Sequence, residues 1–538
     1  MNKTWAEVLA KTERARDGIA REVSSSANSS ASCSLRFVAT LASLLIAGCA
    51  VGPNFKRPAA PDVSNYTALP LSTTVSSANV TGGEAQRFAQ GSDIPGDWWT
   101  LFHSRPLNEL IEQSLSNNAD LKAAQAALAV ARENVLVQRG VYYPSVAADF
   151  SATRQSTAGT ISATPNNGTF LYNLYTPQVS VSYAPDLFGL NRRTTESVKA
   201  QEQAVRFQTI ATQITLSTNV VVAVVQEASL QAQIDATHQL IDFNLKMVQI
   251  LRDQLAKGYA GGLDVAAQES QLAQVTATLP PLVKQLDQER DLLSVLVGRF
   301  PNQSPAEKFD LASLQLPQDL PVSLPSTLVA QRPDVLQAEA NMHAASAQIG
   351  IAIANRLPNI SLTANAGSSA LAIGQVFKSG TGFWGLGADL TAPIFQGGAL
   401  LHQERAAKAA YVQAAEQYRS TVLNAFQNVA DTLAALDQDA RGLKAATAAT
   451  DAAKVTLDLS QRQWQAGYAN YLSLLSAEQA YQQARINLVQ AQANRYADTA
   501  ALFQALGGGW WNRADLVPDK GGQDKDGQDR ASQDKDGK

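Results

Sequence analysis

The sequence predicts an internally duplicated α+β membrane protein, with two strands and one long helical hairpin in each copy. Motifs recur in the same order about 210 residues apart, far beyond the repeat length of solenoids and propellers. The clearest pair is residues 258–263 and 467–472, which read GYAGGL and GYANYL. Each copy also combines segments of period-two alternation with a helical stretch of about 100 Å, at 1.5 Å per residue.

The first copy, residues 104–300, opens with a helix and two strands. Helical patterning runs over 105–139, and Pro144 stops it because proline cannot continue the hydrogen-bond ladder. Residues 146–156 and 178–183 alternate with period two, which predicts strands. The turn-forming residues of 165–168 predict the loop between these strands.

A helical hairpin completes the first copy. Residues 191–257 contain no proline or glycine and place apolar residues at helical spacing, which predicts one long helix. The glycines of 258–262 end it, and a return helix follows over 263–297. Pro280 and Pro281 are expected to kink this return helix or to split it into two stacked pieces.

The second copy repeats this plan over residues 326–510. Its predicted elements are a helix at 333–355, strands at 360–366 and 383–391, a long helix at 400–465 and a return helix at 472–505. Residues 301–325, rich in proline and glutamine, predict a linker between the copies. Residues 511–538 repeat Gln-Asp-Lys-Asp-Gly with almost no apolar residue, which predicts a disordered polar tail.

The N-terminus predicts export and a lipid anchor. About a dozen apolar residues precede Cys49, which suits the core of a signal peptide over 1–48 and is too short for a membrane span of about 20 residues. Residues 46–49 resemble the lipobox of bacterial lipoproteins, which implies covalent diacylglycerol and an N-acyl chain on Cys49. Ala50 at the next position is compatible with sorting to the outer membrane, and the proline- and serine-rich residues 49–103 predict an extended, lipidated leader.

Two alternatives apply to this N-terminus. An ordinary signal peptide followed by a chance cysteine would leave the protein without a lipid anchor. The stretch before Arg36 is also long for a signal peptide, so the start codon lies further downstream or the extension is real.

Composition argues against several classes of function. The net charge of −4 comes without a basic stripe, which argues against nucleic acid as a partner. Cys33 and Cys49 lie outside any metal-type cluster, so we expect no metal site and no disulfide framework. The four histidines are scattered and no HExxH, GxSxG or Walker motif occurs, so we expect no enzyme, no catalytic residue and no cofactor beyond the covalent lipid.

The predicted strands indicate a membrane channel. Strands of about ten residues suit a tilted bilayer crossing, and a sheet in lipid must close because each unpaired backbone group costs several kcal/mol. Bacterial barrels begin at eight strands, so four strands would have to share a barrel with other subunits. A water-soluble sheet that caps a helical bundle is the alternative, but hairpins of about 100 Å beside a lipid anchor favour a protein that bridges the periplasm.

Several motifs in this order resemble those of the outer membrane factors of Gram-negative efflux systems, in their lipoprotein branch (OprM/NodT-like, TolC superfamily). They are CAVGPNFKRP at 49–58, WW at 98–99, YAPDLFG at 183–189, LVG at 296–298, RPDV at 332–335 and APIFQGG at 392–398. The resemblance implies a homotrimer with a shared twelve-stranded outer-membrane barrel, a periplasmic barrel of coiled-coil hairpins and an equatorial belt that includes the linker. It also implies passive efflux conduction, with a periplasmic adaptor and an inner-membrane pump, commonly of the resistance-nodulation-division type, as partners.

The resemblance places a periplasmic gate at the two hairpin turns. It matches Leu472 to a constricting leucine, and Ser473 and Ser476 to positions where relatives often carry aspartate. Asp264 keeps a carboxylate, although a helix N-cap would equally explain it. We expect this gate to depend on apolar closure by Leu472, and its opening to depend on the sequence difference between the two turns.

The same turns are the expected docking surface for the adaptor. Its residues are Gly258, Tyr259, Gly261, Gly467 and Tyr468. Turn chemistry alone would explain the glycines, since glycine is the default residue in tight turns.

Two other functions fit the sequence. The exit duct of a type I protein secretion system would keep the channel and change the cargo. A structural coiled-coil lipoprotein would space the envelope layers without a pore. The strand at 383–391 argues against the latter, because Leu390 and Asp389 fall on opposite faces as a polar lumen requires, although Phe383 lies on the polar side.

Overall fold

The computed structural model describes residues 50–68, 71–77, 80–157, 170–303 and 308–516. The predicted signal peptide, Cys49, the loop at 165–168 and the tail from residue 517 lie outside these described residues. The chain divides into two compact units. The first contains the N-terminal part to Phe55, Glu133–Lys199 and His343–Val412, and the second contains the remaining segments.

Long helices dominate the described chain. The helices are α1 Arg105–Asn117, α2 Ala119–Gly140, α3 Leu190–Ala256, α4 Gly262–Leu296, α5 Pro325–Gln331, α6 Pro333–Ala354, α7 Ala399–Gln465 and α8 Tyr471–Ala505. The strands are β1 Arg87–Gln90, β2 Ser145–Thr157, β3 Phe170–Tyr183, β4 Asp319–Val322, β5 Asn359–Ser368 and β6 Gly382–Thr391. The duplication extends to element length, since α3 and α7 each have 67 residues and α4 and α8 each have 35.

The prediction of one helix over 105–139 is wrong, because the chain breaks at Asn118. The side chain of Asn118 accepts a hydrogen bond from the Leu121 N–H at 3.0 Å, which is the bond that an N-cap makes. Its amide also donates to the carbonyl of Leu296 at 3.1 Å. Asn118 therefore starts α2 and ties it to the end of α4.

Of the two outcomes expected for Pro280 and Pro281, a kink or a split of the return helix, the split does not occur. Helix α4 continues through both prolines without interruption. The two prolines remove two backbone donors, and the carbonyls left without them belong to Thr276 and Ala277. Both residues are exposed, so water can satisfy these carbonyls.

The leader and the linker contain structure that the sequence did not indicate. Strand β1 of the leader pairs in parallel with β4 of the linker, with Arg87 opposite Asp319. These two side chains also form an ion pair of 2.8 Å between Nε and Oδ1. Four-residue strands give almost no period-two signal, so this pairing is set by tertiary contacts.

The core of the second unit is aromatic where the leader packs on α8. Trp98, Phe102 and Phe503 have no exposed surface, and the Trp98 and Phe503 rings stack with centroids 5.0 Å apart. Helix α3 has one apolar stretch that would suit a membrane span by length and composition, but 67% of that stretch is buried. We therefore assign α3 as a core helix.

Candidate functional site: a two-faced sheet and two helix-hairpin turns

The four longer strands form one antiparallel sheet in the first unit. Its order is β2-β3-β5-β6, so the strand pair β3–β5 joins the two copies. Among the described residues, β2 and β6 each have a strand neighbour on one side only. The sheet therefore leaves two edges with unpaired backbone groups.

The register gives this sheet one apolar and one polar face. One row across the four strands is Val146, Val181, Ala364 and Leu386, and the adjacent row is Ser145, Ser182, Thr363 and Gly387. On the apolar face, the large side chains of the edge strand β6 are mostly exposed to solvent. The exposed fraction is 76% for Trp384 and 77% for Leu386. A sheet of this kind suits an apolar environment on one side and water on the other.

Phe383 lies on the polar face of the sheet, which is the exception that the sequence already indicated. Its backbone pairs with Gly367, and a Cβ atom built on Gly367 would lie 2.9 Å from Cζ of the Phe383 ring. The ring therefore lies over the one partner position that has no side chain.

The first hairpin turn is closed by backbone hydrogen bonds and by Asp264. The Gly258 N–H donates to the Leu255 carbonyl at 3.0 Å and the Tyr259 N–H donates to the Gln254 carbonyl at 2.8 Å, which is a Schellman motif. Gly258 has φ +78°, which strains any other residue. Asp264 accepts from the Gly261 N–H at 3.1 Å, so its carboxylate caps α4.

The second turn has the same backbone and different side chains. Gly467 has φ +79° and donates to the Trp464 carbonyl at 3.0 Å, and Tyr468 donates to the Gln463 carbonyl at 2.8 Å. Asn470 caps α8 by accepting from both the N–H and the hydroxyl of Ser473, at 2.9 and 2.7 Å. The two turns are thus structural copies with different capping chemistry.

An apolar cluster packs the two turns together. It consists of Met247, Leu251, Val265, Tyr471 and Leu474, all buried. Val265 belongs to the first copy and Tyr471 to the second, so the cluster links the two hairpins. Leu472 is not part of this cluster and is 55% exposed, and Ser476 is also exposed.

A buried polar cluster lies directly behind this apolar one. Glu478 of α8, Asn244 of α3 and Gln268 of α4 are at most 1% exposed. The Asn244 amide donates to Oε1 of Glu478, and Gln268 Nε2 donates to Asn244 Oδ1 at 2.7 Å. Burial raises the pKa of Glu478 to about 7, and the bond from Asn244 opposes this shift.

The structure gives different positions to the residues proposed for the gate and the docking surface. Asp264 and Ser473 are engaged in caps, whereas Leu472 and Ser476 are free to face solvent. Tyr259 and Tyr468 are 81% and 88% exposed at the ends of the hairpins.

Sequence reasoning missed Asn244, Gln268 and the burial of Glu478, since a lone Glu in a helix is ordinarily exposed. In the described part of the chain, no group of His, Cys, Asp and Glu is arranged to hold a metal ion.

Comparisons with known proteins identify relatives of this chain. The family described as outer membrane efflux protein matches residues 110–299 and 324–508, which are the two copies without the linker. The chain is 30% identical over 474 residues to the probable efflux pump outer membrane protein TtgC of Pseudomonas putida, covering 87% of this chain and 94% of that protein. It is 29% identical over 496 residues to the outer membrane protein OprJ of Pseudomonas aeruginosa, covering 90% and 98%. The outer-membrane channel OprN has a similar structure, with a TM-score of 0.76 at 25% identity, covering 86% of this chain and all of OprN.

Proposed function

The chain belongs to the outer membrane efflux protein family, and from this premise we propose that three copies form one outer-membrane channel of a tripartite efflux pump. The channel conducts substrates passively to the exterior. A periplasmic adaptor and an inner-membrane pump, of the resistance-nodulation-division type, deliver the substrates and supply the energy. Lipid on Cys49 anchors each chain to the outer membrane.

The open, two-faced sheet carries this proposal. Its apolar face suits lipid and its polar face suits a water-filled lumen. Its two free edges cannot persist in lipid, because every backbone group there needs a partner. Three copies would supply twelve strands and close the edges, whereas one chain supplies too few for any bacterial barrel.

The hairpin turns support the roles given to the periplasmic end. Tyr259 and Tyr468 present exposed aromatic rings beside glycines whose backbone is uncovered, a surface on which an adaptor hairpin can dock. Leu472 and Ser476 are exposed near the start of α8 and narrow the gate, while Asp264 has the additional task of capping α4.

Planar-bilayer recording of the purified full chain, together with its mass in detergent, tests this function. We expect stepwise conductance from a species of three chains. A single chain without conductance would instead favour the structural coiled-coil lipoprotein. Conductance together with binding of a protein-secretion partner in place of an efflux pump would favour the type I secretion duct, which the names of the relatives do not support.

A further inference from the structure

The buried Glu478 joins the second hairpin to the first. Its carboxyl group lies on α8 and accepts from Asn244 on α3, which in turn accepts from Gln268 on α4. Glu478 and Leu472 are six residues apart on one helix, so about 9 Å of helix separates this joint from the exposed leucine of the turn. Between them lie Tyr471 and Leu474 of the apolar cluster.

The first copy has no such joint, although it has a carboxylate at the matching position. Glu269 is exposed and pairs with Arg252 of its own hairpin, with 2.6 Å between Oε1 and Nη2. The positions that match Asn244 and Gln268 in the second copy carry Ala453 and Ala477. In the described part of the chain, the buried polar cluster is therefore present around Glu478 of the second copy and absent around Glu269 of the first.

Glu478 forms no ion pair with a cation among the described residues. From α3 the Asn244 amide contacts it directly, and Gln268 of α4 contacts Asn244 in turn. From its own helix it faces Tyr471, whose pKa is raised by burial, by the charge of Glu478 and by that of Asp264. An ionised Glu478 is thus poorly tolerated in the packed arrangement.

We propose that Glu478 is a positioning residue for the gate: its neutral form holds α8 against α3 with the turn closed, and its ionisation releases the turn and Leu472. This inference rests on the proposed channel function, because it deepens the account of how that channel opens. The residue acts through helix packing and has no contact with the conducted substrate.

The direction of the pH effect follows from burial. The pKa of Glu478 is about 7 when the cluster is packed, against an ordinary value of 4.5 in water. The packed arrangement therefore binds more protons than an open one, and it loses stability as the pH rises through 7. With these two values, linkage gives an open-to-closed ratio about tenfold larger at pH 8 than at pH 6.

The test compares wild type with Glu478→Gln and with the matched control Glu269→Gln. Single-channel open probability and amide hydrogen exchange of residues 466–476 are measured at pH 6 and pH 8, the exchange being corrected for its chemical pH dependence. For wild type and Glu269→Gln we expect the open-to-closed ratio to be about tenfold larger at pH 8 than at pH 6. Glu478→Gln keeps the oxygen that accepts from Asn244 and cannot ionise, so we expect it to stay closed at both pH values.

The outcomes separate this inference from the channel function. A pH response that persists in Glu478→Gln overturns the inference and points to the half-buried carboxyl of Asp439 beside Asp498, whose pKa burial also raises to about 7. A wild-type turn whose exchange does not change with pH overturns it as well. If no variant conducts but exchange at the turn follows Glu478, the channel function fails and the positioning role stands.

Discussion

At the scale of single residues, the two hairpin turns use their polar side chains for capping. The Asp264 carboxylate is bound to a backbone N–H, and the Ser473 hydroxyl is bound to Asn470. Leu472 makes no comparable bond and is more than half exposed. An unengaged apolar side chain can move into a constriction without losing a hydrogen bond, which favours Leu472 as the closing group.

Replacing Leu472 by Ser is therefore expected to change single-channel conductance more than replacing Asp264 by Asn. The first change removes apolar closure, whereas the second weakens a cap worth about 1 kcal/mol and leaves a polar side chain in place. Planar-bilayer recordings of both variants check the order of the effects. Equal effects, or a larger effect for Asp264→Asn, would show that the carboxylate controls conduction.

Two buried tyrosines of α8 allow the contribution of a hydroxyl hydrogen bond to stability to be compared. The Tyr496 hydroxyl donates to the Leu314 carbonyl at 2.9 Å, whereas the Tyr471 hydroxyl is buried without a partner among the described residues. We expect Tyr496→Phe to lower the free energy of unfolding by about 1–3 kcal/mol, because it leaves a buried carbonyl without its donor. Tyr471→Phe is expected to be neutral or stabilising, and thermal unfolding of the two variants under one condition measures the difference. A larger loss from Tyr471→Phe would mean that its hydroxyl has a partner in the assembled protein.

At the scale of elements, Arg495 fixes the leader to α8. It is fully buried and donates to the carbonyls of Gly82 and Glu84 at 2.6 and 3.0 Å, and to the Gln86 side chain at 2.9 Å. Burial lowers the pKa of this guanidinium, and the nearby Glu84 carboxylate opposes that effect. One side chain thus satisfies several backbone acceptors of a segment with little regular structure of its own.

Arg495→Leu is accordingly expected to free the leader around residues 74–86. Each hydrogen bond from this buried charged group is worth about 1.5–3 kcal/mol, so thermal stability should fall and limited proteolysis should cut this segment first. Arg485→Leu is the control, since Arg485 lies on the same helix and donates to Gln239 at an exposed site. Equal proteolysis of the two variants would show that other contacts hold the leader.

The sheet gives a second prediction for elements. Leu386→Arg places a charge on the apolar face and Thr363→Arg places one on the polar face, at neighbouring positions of paired strands. A cation at the bilayer midplane of a barrel costs about 2–4 kcal/mol, and much less in a lumen. Membrane fractionation and heat-dependent migration should show impaired assembly for Leu386→Arg alone. Equal impairment by both variants would contradict the assignment of the faces.

At the scale of the whole molecule, the large elements could be predicted and the joints between them could not. The absence of proline and glycine over 191–257 predicts α3 to within one residue at each end. The bond from Asn118 to Leu296, the pairing of β1 with β4 and the burial of Glu478 depend on partners far away in sequence. Local periodicity records which face of an element is apolar, but it does not record what packs there.

The pairing of β3 with β5 has a consequence for how the protein is made. Roughly 175 residues separate the end of β3 at Tyr183 from the start of β5 at Asn359, so the sheet has a high contact order and forms late. During synthesis and export, β3 must wait with a free edge and an apolar face until the second copy has emerged. Such an edge is a site of aggregation unless something covers it. Assembly of this protein should therefore be most sensitive to the supply of holdase chaperones after the first copy has emerged and before the second copy has followed.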